Sequence, residues 1–120
     1  MPTKKKSRRL SRENVVRFVE LCVGEVNNGG FNQFFYNSTG NETAEIIQTL
    51  ETIGARKLAD IVRRAAAKFP REMPPKDRLA RGRLVERIDP EIKVFDRLDK
   101  EFCSNPDDWE GLLERYAGWV

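Results

Sequence analysis

The sequence predicts an all-α fold, a single compact multi-helix domain of about five or six helices. Three observations predict it. Apolar residues recur at helical spacing through most of the chain, glycine or proline punctuates each periodic stretch, and no segment is clearly written as a strand.

In order along the chain, residues 1–11 carry Lys4, Lys5, Lys6, Arg8 and Arg9 without an acid and read as a disordered basic arm. Residues 12–120 read as the helical domain. Ser11 offers an N-cap, and Val15, Phe18, Val19, Cys22 and Val26 follow at helical spacing. Asn27-Asn28-Gly29-Gly30 is expected to stop this first helix, because glycine takes a left-handed terminal position without steric cost. Phe31–Asn37 fits a short helical turn or a strand. Gly40-Asn41 breaks the run, and a helix over about residues 42–53 places Ile46, Ile47, Leu50 and Ile53 inward. After Gly54, the residues Leu58, Ile61, Val62, Ala65, Ala66 and Phe69 mark a helix that Pro70 ends. Pro70–Lys76 is a loop. Leu79, Leu84 and Ile88 then indicate another helix. Asp89-Pro90 and Asn105-Pro106 each place a capping residue before a proline and predict two more helix starts. Ile92, Phe95, Leu98 and Phe102 would line the first, and Trp109, Leu112, Leu113, Tyr116 and Ala117 the second.

A chain of 120 residues can form one core without metals or disulfides. It has no histidine, which removes the commonest general base and metal ligand. Cys22 and Cys103 lack metal spacing and adjoin apolar residues, so both are expected as buried free thiols, with a bridge between them as the alternative. With no transmembrane-length apolar run and no secretion signal, a reducing cytoplasmic setting is expected. The net charge of +3 hides strong segregation. Residues 13–51 sum to −5, residues 52–88 to +7 and residues 89–120 to −5.

Candidate chemistry is sparse. No serine lies in a nucleophile elbow, Gly29-Gly30 completes no phosphate loop, and the acids of residues 96–101 alternate with bases as on a solvated helix face. No enzyme, cofactor or metal is expected. Nucleic-acid contact through Lys4, Lys5, Lys6, Arg8, Arg9, Arg63 and Arg64 is the alternative reading. The Ile53-Gly54-Ala55 hinge fails as a helix-turn-helix because Asp60 falls where that motif buries an apolar residue.

The most unusual segment is Asn28-Gly29-Gly30-Phe31-Asn32-Gln33-Phe34-Phe35-Tyr36-Asn37-Ser38-Thr39-Gly40. Its phenylalanines are expected in the core, with Gln33 and Asn37 bonding the backbone of the turn. Asn32, Gln33, Tyr36 and Asn37 would form a polar rim open to a partner.

This segment resembles the signature of a family of small bacterial DNA-mimic proteins. Ile53-Gly54-Ala55, the Ala65–Pro70 helix end and Leu98–Phe102 with its following Trp/Leu/Tyr helix add to the likeness over about residues 12–118. The resemblance implies an all-α, non-enzymatic protein that self-associates as a homodimer and acts in transcription regulation. It would capture a basic DNA-binding protein, because surface carboxylates can stand in for duplex phosphates. In this chain the implied protein-binding residues are Glu91, Asp96, Asp99, Glu101, Asp107, Asp108, Glu110 and Glu114, with Gln33, Tyr36 and Asn37, and Glu13, Glu20 and Glu25 as a further acidic group. No membrane partner is implied. Without residues 1–12 the body carries only −3, so the fold transfers more directly than the mimicry.

Overall fold

The computed structural model describes residues 10–118, and among them every regular element is helical. Helix α1 spans Arg12–Tyr36, α2 Thr43–Ile53, α3 Arg56–Ala66, α4 Arg78–Ile88, α5 Asp96–Cys103 and α6 Trp109–Ala117. Two short 3-10 turns, Ser38–Glu42 and Pro70–Glu72, join them. The basic arm of residues 1–11 lies almost wholly outside the described residues. Leu10 packs on the core and Ser11 caps α1, its hydroxyl accepting from Asn14 N at 3.1 Å.

Helix α1 is the central post, touched by α2, α4, α5 and α6. It corrects the expected stop at residues 27–30. Gly30 does leave helical geometry, at φ 75 and ψ −173, but the helix resumes at once and runs to Tyr36. The ambiguous Phe31–Asn37 stretch is thus helical up to Tyr36. The glycines mark a break and not an end, because the residues that restart the helix are anchored from distant parts of the chain.

The kink swings three phenylalanines into the core. Phe31, Phe34 and Phe35 have no exposed surface; Phe34 packs on the other two, and Phe31 and Phe35 pack ring to ring with Phe69, Phe95 and Phe102 at centroid separations of 4.8 to 6.3 Å. Such pairs contribute roughly 0.5–1.5 kcal/mol each beyond their buried area.

Helix α2 follows its predicted span, whereas α3 ends at Ala66, short of Pro70, and Phe69 reaches the core from extended backbone beyond it. Gly54 closes α2 in the left-handed region at φ 94, and Ala55 N reaches back to Leu50 O at 2.8 Å. Asp60 is exposed and pairs with Arg64 at 3.0 Å.

Downstream, several expectations need correction. Pro90 does not start a helix: α5 begins at Asp96, and the Asp89 carboxylate instead gathers the amides of Lys93 and Val94 at 2.7 and 2.8 Å. Ile92, expected inward, is 67% exposed at φ 53. Asn105-Pro106 also precedes its helix by several residues, and Asp108 is the cap of α6. Leu79 is 71% exposed rather than inward, since α4 packs on α1 through its opposite face. Cys22 is a buried free thiol as expected, whereas Cys103 is exposed at the end of α5 and lies 3.1 Å from Asn27 Oδ1.

Candidate protein-binding site

Most polar residues of the 28–40 segment are bonded within the domain, by Glu25 earlier in α1 and by groups from far along the sequence. Arg81, on α4, is fully buried, and its guanidinium spends its donors on neutral oxygens. It reaches Phe35 O at 2.6 Å, Asn37 O at 2.9 Å, Asn41 Oδ1 at 2.7 Å, Pro75 O at 2.9 Å and Lys76 O at 3.0 Å. Burial, and then the charge of Arg78, lowers its pKa, while Asp77 and Glu42 oppose this. Gly40 is required beside it, because a Cβ there would lie 2.6 Å from Arg81 Nε and 3.0 Å from Phe34 O.

Three carboxylates hold the rest. Glu25 accepts from Gln33 Nε2 at 2.8 Å, Asn37 Nδ2 at 3.2 Å and Thr39 Oγ1 at 3.1 Å. Gln33 and Asn37 were expected to bond turn backbone; their amides serve a side-chain acid one helix segment earlier instead. Asp89 accepts from Asn32 Nδ2 at 2.8 Å, and Asp99 from Phe31 N at 2.8 Å, directly at the kink. Burial pushes the Asp89 pKa up, but its bonds from Val94 N, Asn32 and Lys93 N outweigh that and hold it below the usual carboxylate range. Asp99 moves the other way. Burial raises it, the Phe31 amide opposes, and Asp96 and Asp89 add like charge. Of the expected polar rim, Asn32, Gln33 and Asn37 are half-buried and internally bonded, and Tyr36 is the exposed member.

The acidic candidates divide by what they touch. Asp99 anchors the kink. Asp107 accepts from Leu58 N at 2.8 Å, capping the start of α3, and Asp108 accepts from Gly111 N at 3.2 Å. Glu101 binds Arg64 Nη2 at 2.7 Å, which lowers its pKa through that hydrogen bond and raises that of Arg64. Glu91 pairs with Lys93 at 2.9 Å. Asp96 and Glu110 are exposed, as is Glu114, and none of the three is ion-paired among the described residues.

The basic candidates are placed just as unevenly. Lys4, Lys5, Lys6, Arg8 and Arg9 lie outside the described residues. Arg63 pairs with Glu51 and Asp60, and Arg64 with Asp60 and Glu101, so both face partners within the domain. Among the described residues no group of three or more acidic or cysteine side chains is placed to hold a metal ion. No helix among them is long and apolar enough to cross a membrane.

Sequence reasoning missed the organising roles of Arg81, Asp89 and Glu25. Their partners lie 8 to 57 residues away, and only the surplus of amide side chains in the 28–40 segment hinted that acceptors were needed.

These features define a class: a small all-α domain with a closed polar interior, whose remaining charged groups lie at the surface. The model of the DMP19-like protein family, a DNA-mimic family, matches residues 9–118, and the chain belongs to that family. No curated protein and no solved structure matches the chain.

Proposed function

We propose that the protein is a non-enzymatic binding module that captures a DNA-binding protein through an acidic surface of its C-terminal helices. The observation that carries this reading, beside the family, is that Asp96, Glu110 and Glu114 stand exposed on α5 and α6 without ion-pair partners among the described residues. A surface that reads phosphates by charge accepts carboxylates in their place. Glu91, Asp107 and Asp108 belong to the same acidic stretch of sequence, with Glu91 paired to Lys93 and the two aspartates capping α3 and α6. Asp99 and Glu101 contribute field rather than contact, since each is already bonded within the domain.

The alternative, nucleic-acid contact through the basic arm with Arg63 and Arg64, is weakened by the ion pairs those two arginines make. The test is a pull-down from lysate with the full chain and a form lacking residues 1–9, each with and without nuclease. The expected result is a nuclease-resistant protein partner that both forms retain. The Asp96→Asn, Glu110→Gln, Glu114→Gln triple variant should lose at least about tenfold in capture, with its unfolding midpoint unchanged. Capture that disappears with nuclease or with the arm would replace this reading by the nucleic-acid one.

A further inference from the structure

The outer face of α1, opposite the side that packs on the core, opens into a cleft of about 520 Å³ lined by Arg12, Glu13, Val16, Arg17, Glu20 and Leu21. None of these residues belongs to the interior polar network or to the α5–α6 carboxylates. Two of the charges are basic and two acidic, so the cleft offers no net charge for a nucleic acid or a strongly charged protein to select.

These charges are also unspent. Glu13 and Arg17 stand at i, i+4 with the acid on the N-terminal side, and Arg17 and Glu20 stand at i, i+3; both spacings favour pairing along a helix. Neither pair forms, and none of the four charged residues makes an ion pair among the described residues. Arg17 lies over the Phe18 ring at 4.7 Å instead.

A second observation falls on the same row. Glu13, Arg17, Glu20 and Gly24 follow at i, i+4, i+7 and i+11, one stripe of a helix. Gly24 is exposed in the middle of α1, with nothing within 4 Å of where a Cβ would stand. It is not among the glycines with positive φ, so neither packing nor backbone geometry within the domain calls for glycine, and alanine is the better helix former. A surface brought up from outside does call for it, because a missing Cβ lets that surface come closer.

The row is its own complement. Reversed end to end, it sets Glu13 opposite Gly24 and Arg17 opposite Glu20, and each relation occurs twice. Val16 and Leu21 are equally far from the same midpoint, one on each side of the row, so an apolar side chain closes either edge of the seam. A two-fold axis through that midpoint therefore places Arg17 of each copy against Glu20 of the other. Sliding the copies until Glu13 meets Glu20 sets like charges together, so the charges also select against that register.

We infer that the Glu13–Gly24 face of α1 is the seat of a second copy of this chain, packed antiparallel across a two-fold axis with reciprocal Arg17–Glu20 ion pairs. The inference does not rest on the α5–α6 reading; that surface lies on other helices.

The test is sedimentation equilibrium of the full chain over a concentration series. The unaltered chain should form a reversible dimer. Arg17→Glu and Glu20→Arg should each weaken it at least about tenfold, because each sets two like-charged pairs across the axis. Mixed in equal amounts, these two variants should associate with one another as tightly as unaltered chains do. The double variant Arg17→Glu, Glu20→Arg should regain a dimer of its own. Gly24→Ala should raise the unfolding midpoint of the dilute, monomeric chain and yet weaken the dimer several-fold, opposite effects that a glycine without an outside contact cannot produce. A chain that stays monomeric throughout the series overturns the proposal. So does a dimer that ignores Arg17 and Glu20, or one that mixing fails to restore. A monomer whose Arg17→Glu variant loses capture in the pull-down would assign the face to the captured partner and overturn it as well. The Asp96→Asn, Glu110→Gln, Glu114→Gln variant should dimerise normally, so a failure of capture and a failure of the dimer are told apart.

Discussion

The surroundings of the α1 kink and the exposed faces of α5 and α6 both hold carboxylates, but they employ them differently. Around the kink, Glu25, Asp89 and Asp99 each accept hydrogen bonds from the 28–40 segment, and Arg81 closes the remaining carbonyls. On α5 and α6, Asp96, Glu110 and Glu114 meet only solvent among the described residues. The contrast shows that acidity along a sequence is no measure of an acidic surface. A carboxylate already committed to backbone or amide donors has neither the exposure nor the freedom to imitate a phosphate. Counting committed and uncommitted acids separately turns a diffuse acidic block into a small testable set.

The sharpest way to break the kinked half is Arg81→Leu. It strands buried carbonyls of Phe35, Asn37, Pro75 and Lys76 and should cost about 3–5 kcal/mol in urea unfolding. A loss below about 1 kcal/mol would mean that the carbonyls find other donors and the hub is dispensable.

Two glycines of the same helix give the next effect, with opposite signs. At Gly30 a Cβ would meet the Asp99 carboxylate, and φ is 75, so Gly30→Ala should destabilise by about 1–3 kcal/mol. At Gly24 nothing lies within 4 Å, and Gly24→Ala should stabilise by about 0.5–1 kcal/mol. Equal effects at the two positions would remove the case for a specified kink.

The two aspartates that flank the kink should separate by pH. The Asp89 pKa is depressed by folding, so its stabilisation is present at neutral pH and is lost as pH falls below the ordinary carboxylate value of 3.8. That of Asp99 is raised, so its ionised form weakens the fold at neutral pH, and acidification through the raised value towards 3.8 relieves the penalty. Asp89→Asn should therefore cost about 1–2 kcal/mol at pH 7 and progressively less as the pH drops below 3.8. Asp99→Asn keeps an acceptor for Phe31 N, and it should cost under about 0.5 kcal/mol at pH 7 and remove the gain on mild acidification. Chemical unfolding from pH 7 to pH 3 decides this, and parallel curves for the two variants would contradict it.

The smallest effect concerns the thiols. Burial pushes the Cys22 thiol far up, while Cys103 is exposed and only raised, by partial burial and then by Asp99. A thiol reagent should titrate one group in the native protein and the second only after unfolding.

Much of the fold could be read from sequence because it is written locally. The span of α2 and the start of α3 follow from apolar spacing and from Gly54, all within one or two turns of the residues they govern, while α3 ends at Ala66 before Pro70 is reached. Misreadings arose where one local signal serves two structures. Asp89-Pro90 matches a helix cap, but an aspartate also folds a turn by gathering amides a few residues on, and here it does the latter. Gly29-Gly30 signals a break without saying whether the helix resumes. The interior polar network was not legible, because periodicity carries no information about a partner such as Asp99 for Phe31, at a separation of 68 residues. The acidic candidates were recognisable as a set. Their division into bonded and unbonded members needed coordinates.

The kink also sets an order of events during synthesis. Its bonds come from Arg81, Asp89 and Asp99, at sequence separations of 46, 57 and 68 residues. When the first third of the chain leaves the ribosome, the phenylalanine-rich stretch has Glu25 but lacks Arg81, Asp89 and Asp99 and the rings of Phe69, Phe95 and Phe102. It must wait, with three phenylalanines and a tyrosine uncovered, until α5 emerges. The 28–40 segment is thus secured only once α5 has emerged. The glycines and amides that interleave its aromatic residues keep an exposed nascent stretch from forming the unbroken apolar strand that aggregation favours.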